Sequence, residues 1–265
     1  GKTTIKMIKM KMTLLFLAIL LTSVQAQGQL PDAEQLMQRS RDLTMTSSLK
    51  STMTLTIVEK NGSTRLRTIE MFSKSYGGTG KRLIRFIDPA EVRGTALLII
   101  DNDKSPDDMW IYLPALKRTR RIVSTEKGKS FMSSEFTNAD MSSAPPQDFK
   151  ISHMPSSGEN GFWVIESKTI SPGKADEYGY SRKLTYLDKN DLKIKKIEFF
   201  NDKNVQTRTI EILATQPTDN KGGYLMTEMS VRNFINGRSS EIKYNNVNVT
   251  TAIPDNTFTP ENMER

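Results

Sequence analysis

Alternating apolar and polar positions dominate the chain after residue 50. Met53, Leu55 and Ile57 alternate with threonines, which is the two-residue period of a half-buried strand. Segments rich in Val, Ile, Thr, Phe and Tyr are separated by short turn motifs at 61–62, 76–78, 101–103, 114–115, 188–190, 201–203 and 236–237. This regular spacing predicts one antiparallel meander of about ten or eleven strands.

A single helix is predicted before the strands. Pro31 suits a first helical position, and Asp32 and Glu34 suit the first turn, where the helix dipole favours acids. The apolar face of this helix is short and consists of Leu36, Met37 and Leu43.

One long segment breaks the strand pattern. Residues 124–148 are rich in serine and end in Pro145-Pro146, so we expect an excursion with one short helix near 137–141, acting as a lid or a plug. Residues 153–160 form an ordinary loop.

The predicted sheet has an apolar face to cover, and two or three short helices cannot fill a large concavity. A curved sheet then leaves an apolar hollow of the kind in which β-barrel proteins bind ligands. The alternative is a closed, fully packed sandwich or barrel without a cavity. Because the sequence has no clear linker and no internal repeat, we expect one mainly β (α+β) domain over residues 27–265.

Residues 1–26 have the pattern of a cleaved secretory signal peptide. A lysine-rich start precedes the apolar run 12–21, and small residues follow up to Ala26. The apolar run is too short for a retained anchor, the alternative interpretation, since a membrane-spanning helix needs roughly 20 apolar residues. The four lysines of this segment account for half of the formal net charge of +8. The remaining charge is mild and scattered, which argues against a nucleic-acid partner.

The chain contains no cysteine. Secreted eukaryotic domains usually carry disulfides, so a signal peptide without cysteine favours the periplasm of a Gram-negative bacterium. Without a cysteine after the signal, lipid anchoring of the bacterial lipoprotein type is excluded. We expect a soluble monomer after cleavage.

The sequence offers little catalytic chemistry. Its single histidine, His153, has no second histidine or cysteine to complete a metal site. The string Gly128-Lys129-Ser130 lacks the earlier glycine of a phosphate-binding loop, because Val123 stands there. Asp101, Asp103, Asp107 and Asp108 cluster without the glycine and distal glutamate of an EF-hand, so a solvated turn is the simpler interpretation. We predict no catalytic residue, no metal and no cofactor.

Several motifs in the central part of the chain resemble a known family. These are Phe86-Ile87-Asp88-Pro89, Val92-Arg93-Gly94-Thr95-Ala96, Asp108-Met109-Trp110-Ile111-Tyr112-Leu113-Pro114 with Arg118 to Arg121, Ser130-Phe131-Met132, Ser134-Glu135-Phe136, and the ending from Ile253 to Pro260. Together they resemble the LolA/LolB-like periplasmic proteins known as outer-membrane lipoprotein-sorting proteins.

The resemblance implies an unclosed antiparallel β-barrel with helices in its mouth. It also implies a hollow that binds lipids or the acyl chains of lipoproteins and shields them from water. Members of this branch often accompany RND-type exporters of the inner membrane, and relatives of the fold also act as sensors.

The stretch from 108 to 121 supplies the candidate binding residues. In a strand, Trp110 and Tyr112 point to one face and Ile111 to the other, while Arg118 and Arg120 share a face of the return strand. The residues predicted to line the hollow are Phe72, Phe86, Leu98, Ile100, Trp110, Tyr112, Met132, Phe136 and Met141. The residues predicted at its rim, for a lipid headgroup or a partner, are Arg93, Arg118, Arg120 and Arg121. The alternative is that the aromatics are plain core and the arginines only protect an exposed strand.

Three functions remain open at this point. The first is a non-catalytic periplasmic carrier of lipid or lipoprotein acyl chains toward the outer membrane. The second is an accessory or sensor protein that docks on an RND-type exporter. The third, a hydrolase, is disfavoured by the missing nucleophile–base pair.

Overall fold

Antiparallel strands form a single sheet in the computed structural model of the protein, which describes residues 30–102, 104–219, 221–249 and 252–264. The strands are β1 (Ser48–Val58), β2 (Thr64–Ser75), β3 (Thr79–Asp88), β4 (Ala96–Asn102), β5 (Asp108–Leu113), β6 (Arg118–Arg121), β7 (Phe149–His153), β8 (Phe162–Thr169), β9 (Arg182–Asp188), β10 (Ile194–Phe200), β11 (Gln206–Pro217), β12 (Tyr224–Asn233) and β13 (Ser239–Asn248). Their order in the sheet is β6-β5-β4-β3-β2-β1-β13-β12-β11-β10-β9-β8-β7. The first and last strands of the chain therefore pair in the middle of the sheet, and β6 and β7 are its edges.

The mainly β, unclosed fold class is confirmed, but the predicted strand count was too low. The described ranges hold 13 strands rather than ten or eleven. One missed turn, residues 89–95, separates β3 from β4 and begins with a cis bond between Asp88 and Pro89. The other lies between β11 and β12, where the Asp219 carboxylate accepts from the backbone N–H groups of Lys221 and Gly223 at 2.7 and 2.8 Å.

The two edges of the sheet are joined by one connection, residues 122–148, which we call the plug segment. It contains helix α2 (Ser124–Lys127) and two 3-10 turns, Ala139–Met141 and Pro146–Asp148. The predicted short helix near 137–141 is confirmed as the first of these turns. The connection thus crosses one face of the sheet, which we call the inner face.

The inner face carries the main core. Alternate residues of the central strands are buried on it, as in β1, where Leu49, Met53, Leu55 and Ile57 are all enclosed. The plug segment adds aromatic side chains to the same cluster. The two-residue period read from the sequence therefore describes β1 correctly.

The opposite, outer face is covered at one end by the last residues of the chain. We call 253–264 the C-terminal strap; it forms the 3-10 turns Asp255–Phe258 and Pro260–Glu264. Ile253, Phe258 and Met263 form a second, separate core with buried residues of β3 and β4. Polar contacts fix the strap, including a 2.7 Å ion pair between Lys74 and Asp255.

Helix α1 (Ala33–Asp42) packs on the inner face near β7 to β9. Asp32 is its N-cap, with its carboxylate accepting from the Gln35 N–H at 2.8 Å, so Pro31 lies before the helix rather than at its first position. The predicted apolar face is confirmed: Leu36 is buried, and Met37 and Leu43 pack beside it.

A third helix, α3 (Pro172–Tyr178), was not predicted. The Ser171 hydroxyl caps its start, and Gly179 ends it with a positive φ of 77°. A Cβ added at Gly128 would stand 2.7 Å from the Gly179 backbone nitrogen, so α2 and α3 approach closely only because both residues are glycine.

The predicted signal peptide, residues 1–26, lies outside the described residues. Within the described ranges, no helix has the length and apolar character needed to cross a bilayer.

We predict that Phe258→Ala lowers the free energy of unfolding by about 3 kcal/mol or more, because it opens a cavity under the C-terminal strap. The measurement is urea denaturation followed by circular dichroism. The control is Leu66→Ala on the outer face of β2, where the side chain is 62% exposed and the expected change is within about 0.5 kcal/mol. Equal effects of the two substitutions would contradict a packed strap.

Candidate functional site

The centre of the plug segment is a small hairpin inserted against the inner face. The Phe131 N–H donates to the Phe136 carbonyl at 2.8 Å, and both side chains are buried. The Phe131 ring lies 5.8 Å from that of Phe86 on β3, centroid to centroid. The plug segment therefore occupies the inner face as packed structure.

The tip of this hairpin is tied to β12 and β13 through the carboxylate of Glu135. It accepts hydrogen bonds from Arg238 and Asn233, each at 2.7 Å. The Glu135 N–H in turn donates to the Ser240 hydroxyl at 3.0 Å. The side chain of Glu135 is only 4% exposed, so this buried charge is stable because its partners satisfy it.

A second buried ion pair ties the plug segment to β11. The guanidinium of Arg208 lies 2.7 Å from the Asp140 carboxylate and donates to the Glu135 carbonyl at 3.0 Å. The same guanidinium stands over the Phe199 ring at 4.3 Å. Two acids of the plug segment are thus held by arginines, one on β11 and one in the β12–β13 turn.

The nine residues predicted to line one hollow lie on two faces of the sheet. Phe86, Met132, Phe136 and Met141 belong to the inner core. The outer face holds Phe72, Leu98, Trp110 and Tyr112 under the C-terminal strap, with Ile100 half-buried on the same face of β4 as Leu98. We therefore correct the prediction of a single shared surface. Residues directly opposite in the register point to the same face, so Trp110 shares the outer face with its partner Leu98.

The four predicted rim arginines are also separated. Arg118 and Arg120 share the inner side of β6, and Arg121 lies on the outer side with its guanidinium 5.2 Å from the centre of the Trp110 ring. Arg93 sits in the turn between β3 and β4, paired with Asp88 at 2.7 Å.

Ion pairing distinguishes Arg118 from the others. Arg120 binds Glu126 through two hydrogen bonds of 2.9 and 3.0 Å, which hold the pKa of that carboxyl below its usual range. Arg121 is paired with Asp108. Within the described residues, Arg118 has no ion pair and its side chain is exposed.

A cavity of about 310 Å³ lies between the plug segment and strands β3 to β5. Its lining includes Phe86, Ile111, Met132 and Arg120. Of the predicted site residues, these three (Phe86, Met132 and Arg120) are brought together around one space.

A second apolar surface lies further along the inner face, on β7 and β10 to β13, and is only partly covered. Its side chains pack against the main core yet each keeps part of its surface accessible: Ile151, Ile197, Ile212, Leu225, Met229, Tyr244 and Val247. From here on, the hollow means this surface and not the one predicted from the sequence. Burial raises the pKa of the Tyr244 phenol, and the positive charge of Arg82 partly offsets that shift.

None of these residues is among the site residues predicted from the sequence. The only signal in the sequence is scattered apolar residues, one or two on each of β7 and β10 to β13. Their convergence depends on strand register, which the sequence does not display.

A polar cleft of about 110 Å³ has Arg82 in its lining. It lies between the end of α1, the β2–β3 hairpin and residues 143–145 of the plug segment, and Arg41, Lys74 and Lys81 also line it. Four basic side chains and one acid, Asp101, line the cleft, so it is basic on balance.

The acidic turn between β4 and β5 holds the far end of the plug segment. The Asp101 carboxylate accepts from the Ser143 N–H at 2.9 Å. Asp107 accepts from the Asn102 N–H at 3.1 Å, and burial, reinforced by Asp101, raises its pKa to about 7. Asp103 of the predicted acidic cluster lies outside the described residues.

The remaining residues considered for chemistry make structural contacts. His153 is the last residue of β7, and its Nδ1 lies 2.6 Å from the Ser157 hydroxyl. Lys127, next to the Gly128-Lys129-Ser130 string, forms an ion pair with Glu177 at 3.3 Å. In the described part of the chain, no three His, Cys, Asp or Glu side chains gather around a point where a metal ion fits.

A family model described as "-like: Uncharacterized protein" matches residues 78–265, which is more than half of the chain. No curated protein matches the chain.

Solved structures with the same fold cover nearly all of the described chain. A domain described as an outer membrane lipoprotein-sorting protein from Vibrio parahaemolyticus is 26% identical with a TM-score of 0.79, covering 88% of this chain and 100% of its own. A DUF1329 family protein from Desulfovibrio piger is 23% identical with a TM-score of 0.77, covering 87% and 97%. A LolA superfamily protein from Nitrosomonas europaea is 16% identical with a TM-score of 0.66, covering 86% and 98%. The chain thus has the LolA-like fold, as the resemblance implied.

We predict that Asp107→Asn stabilises the protein at pH 8 and has little effect near pH 4. The folded protein holds the Asp107 proton up to about pH 7, whereas the unfolded chain releases it near its ordinary pKa of 3.8. The native state therefore binds more protons between these values, and stability falls as the pH rises through them. Removing the ionisable group removes this loss.

The measurement is the free energy of unfolding from urea denaturation at several pH values between 4 and 8. Asp202→Asn, in the exposed turn between β10 and β11, is the control and should show no such pH dependence. A gain from Asp107→Asn that is the same at every pH would show that the carboxylate charge is not its cause.

Proposed function

The chain belongs to the family described as "-like: Uncharacterized protein" and has the LolA-like fold, and from that premise we propose that it is a non-catalytic carrier of lipid or lipoprotein acyl chains. It takes an acyl chain into the hollow and helps to deliver it toward the outer membrane. The observation that carries the proposal is the partly covered apolar surface of the inner face.

The energetics of acyl-chain burial suit a carrier. Each buried methylene contributes roughly 0.8 kcal/mol, so a chain of about 14–16 carbons gains on the order of 10 kcal/mol before the association cost of several kcal/mol. Binding of this strength is useful and reversible without covalent chemistry. Met229 and other flexible side chains of the hollow suit ligands of variable shape.

The proposal includes the cellular setting. The signal-peptide pattern of residues 1–26 and the absence of cysteine favour a monomer, released into the periplasm of a Gram-negative bacterium, that comprises residues 27–265. The Vibrio parahaemolyticus domain, described as an outer membrane lipoprotein-sorting protein, supports the same setting.

An exposed tip on the β5–β6 hairpin favours a second candidate function. Leu116 is 66% exposed, and Lys117 and Arg118 beside it project without an ion pair in the described residues. We propose that this tip docks on a membrane partner such as an RND-type exporter, in place of the wider arginine rim that the sequence indicated.

We predict that Ile212→Asp weakens binding of an acyl ligand at least about tenfold, because the ligand would have to desolvate a carboxylate within the hollow. The measurements are native mass spectrometry and lipid extraction of detergent-free protein, followed by titration with a fluorescent fatty acid. Leu213→Asp is the matched control, since Leu213 is the next residue of β11 and is 50% exposed.

Wild-type protein that carries no lipid and takes up none from solution would refute the carrier. Equal loss of binding in both variants would place the ligand outside the hollow.

We predict that Leu116→Ser combined with Arg118→Glu abolishes cross-linking to an inner-membrane exporter while leaving fatty-acid binding unchanged. The measurement is photo-cross-linking from position 117 in membranes that contain the exporter. Lys60→Glu, in the β1–β2 turn, is the control for charge alone. Unaltered cross-linking by the double variant would rule out this tip as the docking site.

A further inference from the structure

A lysine lies within the otherwise apolar inner face. Lys183 is on β9, opposite Phe199 of β10 and Ser167 of β8, so its side chain points to the inner side. Its ammonium group stands 5.6 Å from the ring centre of Phe149 and 5.8 Å from that of Tyr180. Protein atoms surround the side chain, yet part of its surface stays accessible. Ile197 of the hollow lies two residues from Phe199 on the same face of β10, so Lys183 lies beside the hollow.

The ammonium group of Lys183 has no hydrogen bond or ion pair with any residue that the structure describes. The neighbouring acid, Asp140, is committed to Arg208 at 2.7 Å. On the side of α1, Arg41 adds a second positive charge. The polar residue directly opposite on β8, Ser167, carries no charge.

This arrangement is costly for an isolated cation. Desolvation lowers the pKa of Lys183 to about 8; Asp140 opposes that shift and Arg41 adds to it. A buried charge normally has a partner, because transfer from water without one is unfavourable. The two aromatic rings supply only a weak substitute through cation–π contact. An anion entering the hollow would provide the missing partner.

We infer that the hollow takes single acyl amphiphiles with an anionic headgroup, a carboxylate or a phosphate, and that Lys183 is the anchor for that headgroup. The inference rests on the proposed acyl-chain binding and narrows its ligand class. The headgroup lies inward at Lys183, and the chain extends over Ile212 and Met229 toward the basic cleft. This orientation favours a free anionic lipid over the acyl chain of a lipoprotein, whose head is attached to a protein.

The experiment compares palmitate with hexadecanol, which has the same chain length and no charge. Both displace a neutral fluorescent probe, N-phenyl-1-naphthylamine, below the concentrations at which they aggregate. Wild-type protein should prefer palmitate at least about tenfold, as expected for a charge-assisted hydrogen bond in a poorly hydrated site. Lys183→Met should bind the two ligands equally and keep its affinity for hexadecanol.

Lys168→Met is the matched control, because Lys168 lies on the neighbouring strand β8, is exposed, and should leave the preference unchanged. Lys183→Met should also raise Tm, since it removes an unpaired buried charge; Lys183→Gln is the second variant if the first fails to fold.

Acetate and inorganic phosphate serve as headgroups without chains. Their failure to compete with palmitate supports a lipid, and effective competition by either overturns the lipid class.

The outcomes separate the two proposals. If wild-type protein binds neither palmitate nor hexadecanol, the carrier function itself fails. If it binds both equally, or if Lys183→Met keeps the preference for palmitate, the carrier remains and the anchoring role of Lys183 is refuted.

Discussion

An unclosed sheet must cover its inner face with something other than a strand, and this constraint shapes the rest of the structure. The edges β6 and β7 do not pair in the described residues, and the plug segment that connects them crosses the face they leave open. Its buried acids Glu135 and Asp140 are held by arginines of the β12–β13 turn and of β11, in contacts that are effective because both carboxylates are shielded from water. The plug segment, held by these polar contacts, covers only part of the apolar inner face. The part that it leaves uncovered is the hollow.

The sequence was informative where local chemistry decides the structure. The period of two in β1, the Asn-Gly turns and the short apolar side of α1 each follow from a few neighbouring residues, and each was predicted correctly. It was less informative where a turn lacked a strong motif, as after Asp88, or where helix α3 interrupts the strands.

The choice between the two faces of a strand could not be made from alternation alone. Trp110 and Tyr112 alternate with Ile111 as any strand requires, but the C-terminal strap covers the side that holds the aromatics, some 140 residues later in the chain. For the same reason Lys183 resembles a solvent-facing strand residue in sequence, and only the register of β8 to β10 shows that it points inward. The binding surface is a property of many strands together, so its residues carry no local signature.

The pairing of β1 with β13 has a consequence for how the protein reaches this state. These strands form the centre of the sheet, yet Lys50 lies opposite Asn248, at the other end of the folded chain. Contacts between such distant positions carry a large loop-closure cost and make folding slow. Until the last strand arrives, β1 and β12 are unpaired edges, open to association with other chains. A chain that is made N-terminus first therefore spends its most vulnerable period with the middle of its sheet exposed.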